Sequence, residues 1–313
     1  VGTVHLANPV LTASGTSGFG AELGPYLELG GLGAVVTKSV SAEPWPGNPA
    51  PRLQPTPAGM LNSVGLQGPG VEQWLEHDLP ALLATGARVV ASIWGRRVGE
   101  FAKAAAMLAD APPAVVAVEV NLSCPNVEDR RQMFAHSPGA TREAVDATAS
   151  CRRPRWAKLS PNVADLCPIV EASLGGGAEA VTLVNTVLGM ALDTEARRPA
   201  LGAGGGGLSG PAIRPVAVRA VFDVRAAFPG AAIVGVGGVS GGEDAVALLL
   251  AGANAVQVGT ATFADPRAPA RVLEELVRWC EGHGVRSIGE LVGGAHEHGG
   301  GAEGASSPGH PER

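Results

Sequence analysis

Val115-Val116-Ala117-Val118-Glu119-Val120 is a run of mostly β-branched apolar residues, and Asn121-Leu122-Ser123-Cys124-Pro125-Asn126 follows it at once. The first run predicts a buried strand, because short valine-rich stretches are typical of strands covered on both faces. The second run puts two amides, a hydroxyl and a thiol at the end of that strand. Amides can hold a planar polar ligand, and a nearby thiol can move a proton to or from it. A structural turn that uses Asn for its backbone and Cys for packing is the competing interpretation.

Strand-like runs of the same kind recur along the chain and alternate with mostly helical segments. There are eight such runs: Val10–Ala13, Ala34–Lys38, Val89–Ile93, Val115–Val120, Trp156–Leu159, Ala180–Val184, Ala232–Val236 and Ala255–Val258. The helical segments include Gly99–Leu108, Thr141–Ala149, Val163–Ala172, Ile213–Phe228, Gly242–Ala251 and Ala268–Glu281. Eight units in 313 residues predict an α/β fold, the (β/α)8 TIM barrel. A doubly wound open sheet is the alternative, although Ser14–Gly20 only loosely approximates its glycine fingerprint.

Two connections and the C-terminal end lack a helical pattern. Ser39–Gly70 is rich in Pro, Gly and Asn, and Thr186–Gly210 contains Gly204–Gly207. We expect long structureless loops here, functional or disordered, over the C-terminal mouth of the barrel. The domain division is therefore a catalytic barrel at 1–292 and a disordered Gly- and His-rich tail at 293–313. The tail histidines His296, His298 and His310 could bind metal, but a solvated tail is the favoured interpretation.

Composition narrows the function. The net charge of −6, the lack of a basic patch and the 4% aromatic content disfavour nucleic-acid binding. The four cysteines are not at metal-ligand spacing, which predicts no zinc or iron–sulfur site, and their scarcity fits a reducing cytoplasm. No signal peptide and no membrane-spanning apolar run is evident, so a cytoplasmic location without a membrane anchor is expected.

A barrel requires its chemistry to lie at the C-terminal ends of the strands. Each predicted strand does end in groups suited to a ligand: Ala13-Ser14-Gly15, Lys38-Ser39, Ser92-Ile93-Trp94, Asn121–Asn126, Lys158 with Ser160, Asn185-Thr186, Gly237-Gly238 and Gly259-Thr260. The last two pairs predict a phosphate cradle, with ordinary tight turns as the alternative. The two lysines are interpreted as facing an anionic or electron-accepting cofactor, or as reaching out of the mouth to solvent.

At this level of detail the chain resembles the dihydroorotate dehydrogenase family, and within it the class 1B catalytic subunits. The resemblance extends from about Asn8 to Glu290. The matching stretches, in order and spacing, are Asn8–Val10, Ala13–Gly15, Gly18–Gly20, Thr37-Lys38, Glu43-Pro44, Gly47–Arg52, Ala58–Gln67, Asn121–Asn126, Val184–Thr186, Gly189-Met190, Gly207–Pro211, Gly235–Val239 and Gly259–Ala261.

The resemblance implies an FMN cofactor across the barrel mouth and a role for each matching residue. Residues implied to bind FMN are Ala13, Ser14, Gly15, Lys38, Ser39, Ser92, Asn121, Lys158, Val184, Gly210, Gly237, Gly238, Gly259 and Thr260. Residues implied to bind dihydroorotate are Lys38, Asn62, Gly65, Leu66, Asn121, Asn126, Asn185 and Thr186. Cys124 is implied to be the base that removes the C5 proton while C6 delivers hydride to the flavin N5.

The resemblance also implies a subclass and partners. Cys124 in place of a serine base, and the absence of an N-terminal extension, indicate class 1. The segments Gly18–Gly20 and Gly59–Asn62 favour 1B over the fumarate-using 1A class. A 1B enzyme passes electrons to NAD through a separate subunit with FAD and a [2Fe–2S] cluster. The expected assembly is a catalytic homodimer inside a heterotetramer.

Some residues depart from the family pattern, and other functions remain open. Ser92 stands where an Asn usually contacts FMN, Trp94 replaces a small residue, and the loop 127–137 is atypical. One alternative is a flavoenzyme similar to dihydropyrimidine dehydrogenase, which Asn126 disfavours. A second is a lyase that uses Lys158 as a Schiff base. A third is a non-catalytic barrel subunit, which the intact Cys124 and asparagine set disfavour.

Overall fold

The computed structural model describes residues 1–124 and 132–297, and its framework is one closed parallel sheet. The barrel strands, numbered β1 to β8 in chain order, are Val10–Thr12, Val35–Val36, Val89–Ile93, Val115–Asn121, Arg155–Lys158, Ala180–Leu183, Ala232–Val236 and Ala255–Val258. From β2 to β8 each strand pairs with the next, and β8 pairs with β1. A bridge between Leu11 and Ala34 closes the ring. The predicted (β/α)8 barrel is confirmed, and the open-sheet alternative is wrong.

Helices cover the outside of the barrel. They are Val71–Gln73, Trp74–Asp78 and Leu79–Leu83 in one continuous segment, then Val98–Met107, Pro138–Ala147, Cys167–Gly175, Arg214–Ala227, Gly242–Ala251, Ala261–Ala264 and Ala268–Gly282. One predicted helix begins later than expected, at Cys167 instead of Val163. The Asp165 side chain accepts a hydrogen bond from the Cys167 N–H at 2.9 Å, and Pro168 occupies the first turn. Both features mark a helix start.

Side chains inside the barrel lie in layers, because successive residues of a strand point to opposite faces. The lower layer is apolar and includes Trp156 of β5, Ala180 of β6 and Ala255 of β8. Two residues further along each of these strands, the inward positions are polar: Lys158, Thr182 and Gln257. All three are buried. The cavity described below opens above this polar layer.

The two long connections are not structureless, so this expectation is wrong. Leu53–Thr56 and Gly59–Asn62 form a hairpin from the first connection, and Val187–Gly189 and Gly206–Ser209 come from the second. They pair into one four-stranded sheet that joins the two connections. Neither segment has a periodic apolar pattern of its own. The pairing that joins the two connections, between Gly59–Asn62 and Gly206–Ser209, links residues more than a hundred positions apart, which local sequence does not reveal.

The C-terminal boundary also differs from the expectation. Gly294–Glu297 is a short helix, and the ring of His296 stacks on Phe222 with centroids 3.9 Å apart. The first residues of the predicted disordered tail, 293–297, are therefore packed on the barrel. His298, His310 and the rest of that tail lie outside the described residues, and the domain division stays a prediction. No helix in ranges 1–124 and 132–297 is long and apolar enough to cross a membrane.

The hairpin and the second connection touch at Gly59, where there is no room for a side chain. Gly59 has φ of +157°, and a Cβ there would lie 1.9 Å from the Ser209 carbonyl oxygen. We expect Gly59→Ala to lower the free energy of unfolding by about 1–3 kcal/mol, which thermal denaturation would measure. Gly230→Ala is the control, because no atom lies within 4 Å of that Cβ position. Equal melting temperatures for the two variants would contradict the close approach.

Candidate active site

One cavity of about 1470 Å³ occupies the C-terminal mouth of the barrel. Both long connections contribute to its walls, and so do the C-terminal ends of the barrel strands. The predicted site residues that line it are Ala13, Ser14, Gly15, Lys38, Ser39, Asn62, Gly65, Leu66, Asn121, Lys158, Val184, Asn185, Thr186, Gly210, Gly237, Gly238, Gly259 and Thr260. Residues from widely separated parts of the chain thus converge on a single space.

Two described residues of the predicted site, Ser92 and Cys124, do not line the cavity. Ser92 is fully buried and shares a hydrogen bond of 2.8 Å with the Ser39 hydroxyl, so it lies behind Ser39. The short Ser92 side chain reaches only as far as this hydroxyl, so Ser92 itself does not line the cavity. Cys124 is fully buried and does not line the cavity. Asn126 lies outside the described residues.

Hydrogen bonds fix the orientation of the Asn121 amide in the cavity floor. Its Nδ2 donates to the Ser39 hydroxyl at 3.2 Å. Its Oδ1 accepts from the Asn185 Nδ2 at 3.3 Å and from the Ser123 N–H at 3.2 Å. Because both ends of the amide have partners, its donor and acceptor directions are set before a ligand arrives. An ordered amide of this kind suits a ligand with alternating carbonyl and N–H groups.

Cys124 lies three residues after Asn121, where it is buried among apolar side chains behind the cavity wall. Its thiol donates a hydrogen bond to the Asn121 carbonyl oxygen at 3.0 Å. Burial raises the pKa of Cys124 to about 12, and the Gly95 backbone N–H opposes this rise only partly. The thiol is therefore protonated at neutral pH in this arrangement.

Positive charge on one wall of the cavity lacks a carboxylate partner. Lys38 Nζ lies 4.9 Å from the centroid of the Phe19 ring and forms no ion pair with any described residue. Burial lowers the pKa of Lys38, and the nearby Arg52 guanidinium lowers it further. Arg52 is itself held by the carbonyl oxygens of Asn48 at 2.6 Å and Pro46 at 3.0 Å. Two neighbouring cations without an acid favour an anionic ligand.

The turns after β7 and β8 also contribute to the cavity. Gly237, Gly238, Gly259 and Thr260 line it, and their N–H groups donate to no backbone oxygen in the described part of the chain. Gly238 has φ of +76°, and a Cβ there would lie 2.5 Å from the Cβ of Arg214. Only glycine permits this backbone path. Unpartnered N–H groups converging on one space are the usual way that proteins hold a phosphate, so the geometry suits the predicted cradle.

The structure adds residues that sequence reasoning missed. The Trp45 indole donates to the Gly65 carbonyl oxygen at 3.0 Å, and the Arg96 guanidinium lies 4.2 Å above the centroid of that indole. Trp94, noted above as a departure, packs edge-on against Trp45 with centroids 6.0 Å apart. All three residues line the cavity. The sequence did contain one signal for this part of the site. Trp45 is a tryptophan within a Pro-rich connection, in a chain that has only 4% aromatic residues.

Comparisons with known proteins assign the chain to one family. The family model described as dihydroorotate dehydrogenase matches residues 1–279. A protein of Desulforudis audaxviator is 49% identical over 94% of this chain and 96% of its own length. A protein of Alkaliphilus oremlandii is 45% identical over 93% of this chain and 95% of its own length. Both relatives are named dihydroorotate dehydrogenase B (NAD(+)), catalytic subunit.

No group of three His, Cys, Asp or Glu side chains within residues 1–124 and 132–297 could hold a metal ion. The barrel, the cavity with its amide floor and N–H cradle, and a family match over most of the sequence agree with one another. On these grounds the chain belongs to the dihydroorotate dehydrogenase family.

Proposed function

We propose that this protein is a catalytic subunit that oxidises (S)-dihydroorotate to orotate in de novo pyrimidine biosynthesis, with FMN as its cofactor. The observation that carries the proposal is the cavity itself. In it the Asn121 and Asn185 amides face the same space as the unpartnered N–H groups of Gly237 and Gly238. One part suits a pyrimidine edge and the other suits a phosphate. The names of the relatives support the same reaction.

The residues present fit FMN. Gly237, Gly238, Gly259 and Thr260 would hold its phosphate, with Gly210 nearby. Lys38 and Lys158 would lie by the ring system, and Ala13, Ser14, Gly15, Ser39 and Val184 would line it. The cavity of about 1470 Å³ exceeds the usual range for a single small ligand, which suits a cofactor together with a substrate. When bound, FMN supplies the acceptor for the hydride that leaves C6 of the substrate.

Dihydroorotate would lie on the amide floor, held by Asn62, Gly65, Leu66, Asn121, Asn126, Asn185 and Thr186. Lys38, with Arg52 behind it, would attract the carboxylate. The Cys124 thiolate would take the C5 proton as the C5–C6 double bond forms and C6 loses its hydride. Two hydrogens thus leave the substrate, one as a proton and one as a hydride.

The electrons would pass to NAD through a separate subunit that carries FAD and a [2Fe–2S] cluster. The relatives are named as NAD(+) enzymes and as catalytic subunits, which implies a second chain. We propose a catalytic homodimer within a heterotetramer, located in the cytoplasm. The lyase alternative fits the site poorly. Lys158 Nζ lies 3.7 Å from Glu119 Oε1 and donates a hydrogen bond to Gln257 Oε1 at 3.3 Å, so its nitrogen is already engaged by two partners and is poorly placed to attack a carbonyl.

Anaerobic titration of the purified protein with dihydroorotate is the direct test. We expect a yellow protein whose visible flavin absorbance bleaches on addition of substrate, because the hydride reaches bound FMN without any partner subunit. A yellow protein that does not bleach would indicate a flavoenzyme with another substrate. A colourless protein that FMN does not reconstitute would contradict the cofactor assignment.

The pH dependence of that reduction tests Cys124. With a pKa raised to about 12, the thiolate fraction increases about tenfold per pH unit below that value. The rate of flavin reduction at saturating dihydroorotate should therefore climb steadily between pH 6 and 9, as stopped-flow absorbance would show. Cys124→Ser should retain FMN yet reduce it about 10²–10⁴-fold more slowly at neutral pH. Cys151→Ser, at a buried thiol outside the cavity, is the control. A pH-independent wild-type rate would refute the base assignment.

Asn121→Ala tests the amide floor. Loss of this amide removes the partner of Ser39 and of Asn185, so both substrate affinity and the flavin reduction rate should fall, by about tenfold or more each. Asn8→Ala provides a matched control, because the Asn8 amide bonds the Gly31 carbonyl before β1 begins and does not line the cavity. If both variants retained wild-type kinetics, Asn121 would have no place in the site.

A further inference from the structure

A buried carboxylate lies in the barrel directly beneath the cavity, and the chemistry proposed above does not use it. Glu119 on β4 is fully buried. Its Oε2 accepts hydrogen bonds from Gln257 Nε2 at 2.7 Å and from Thr182 Oγ1 at 3.2 Å. Its Oε1 accepts no hydrogen bond in the described part of the chain and lies 3.7 Å from Lys158 Nζ. The carboxylate therefore divides its oxygens between two neutral donors and one cation.

Gln257 connects the same two charged groups. Its Nε2 donates to Glu119, and its Oε1 accepts from Lys158 Nζ at 3.3 Å. Only this orientation satisfies both charges, because the reversed amide would turn its N–H groups toward the ammonium. Lys158 is thus held from below by a carboxylate and an amide oxygen, while it lines the cavity above.

The burial of Lys158 makes this support necessary. Its side chain is only 6% exposed. An ammonium removed from water costs several kcal/mol unless a counter-charge and hydrogen bonds compensate it. Glu119 is the only acidic group that the described structure pairs with Lys158. A carboxylate whose role was packing alone would be expected to have hydrogen bonds on both oxygens. Here Oε1 faces the ammonium instead.

We infer that Glu119, bridged by Gln257, is a positioning residue that holds the Lys158 side chain in place and directed at the flavin ring. Through Lys158 it sets how much more tightly the protein binds reduced flavin than oxidised flavin. A fixed cation beside the ring stabilises the extra negative charge of the reduced form. This inference rests on the proposed function, since it assumes that the cavity holds FMN.

The test is the midpoint potential of FMN in the purified holoenzyme, measured by anaerobic titration with a reference dye. Glu119→Gln removes the counter-charge at nearly constant volume and should release the Lys158 side chain from its position beside the ring. The potential should fall by about 30 mV or more, which corresponds to a tenfold loss in relative affinity for reduced flavin. Glu119→Asp should recover part of the difference. Thr182→Val is the matched control. It removes a hydrogen-bond donor to the same carboxylate, and although Thr182 neighbours Lys158 across the strand pair, its hydroxyl bonds Glu119 and not Lys158, so the potential should match the wild type.

A second set of variants, which lack Lys158, separates a positioning role of Glu119 from a general structural effect. Lys158→Met should lower the potential as Glu119→Gln does, and the double variant should show no further fall, because Glu119 acts only through Lys158. Removing both charges also avoids an isolated buried charge, so the double variant keeps the test available if the single variant does not fold. In that case a double variant with the potential of Lys158→Met supports the inference.

Several results would overturn it: a Glu119→Gln potential equal to or above that of the wild type, a potential in Thr182→Val as low as in Glu119→Gln, or additive falls in the double variant. These results are distinct from failure of the proposed function. In that event the wild-type protein itself would bind no FMN or would not be reduced by dihydroorotate.

Discussion

The closed parallel barrel imposes the constraint on which the rest of the molecule depends. Each strand shows alternate residues to the interior, so a shift of one residue would exchange interior and exterior side chains throughout. On β4 this alternation puts Ala117, Glu119 and Asn121 on one face, which runs from the lower apolar layer of the barrel up to the cavity. The same alternation on β5 and β8 points Lys158 and Gln257 into the barrel, where Gln257 hydrogen-bonds both Lys158 and Glu119. The buried group of Glu119 and Lys158 and the Asn121 amide above it are therefore both consequences of strand register.

The mouth depends on a second constraint, which is the pairing of the two long connections. Strand Gly59–Asn62 and strand Gly206–Ser209 lie side by side and bring Asn62 next to Gly207. The Asn62 amide donates to the Gly207 carbonyl oxygen at 3.3 Å. Glycines at the crossing allow backbone to approach backbone, so the wall of the cavity is built with little side-chain bulk.

The two cavity lysines have opposite electrostatic surroundings. Lys158 has a carboxylate at 3.7 Å, and its charge is balanced before any ligand binds. Lys38 has an aromatic ring and a neighbouring guanidinium, and no described acid pairs with it. A balanced cation can tune a bound cofactor without strongly attracting free anions. An unbalanced one is suited to attract a substrate carboxylate. The different roles proposed for the two lysines thus rest on their different neighbours.

The sequence alone determined the barrel, because eight apolar runs with helical intervals are a local pattern and each strand end carries its own polar residues. Most of the site residues that it predicted also line the cavity, since parallel strands bring their C-terminal ends together. Only the tertiary structure decided how Ser92 sits behind Ser39, that the long connections form a sheet, and that Glu119 lies against Lys158. These features depend on contacts between residues far apart in the chain. No local preference encodes them, because the partner of each group is set by the register and closure of the barrel.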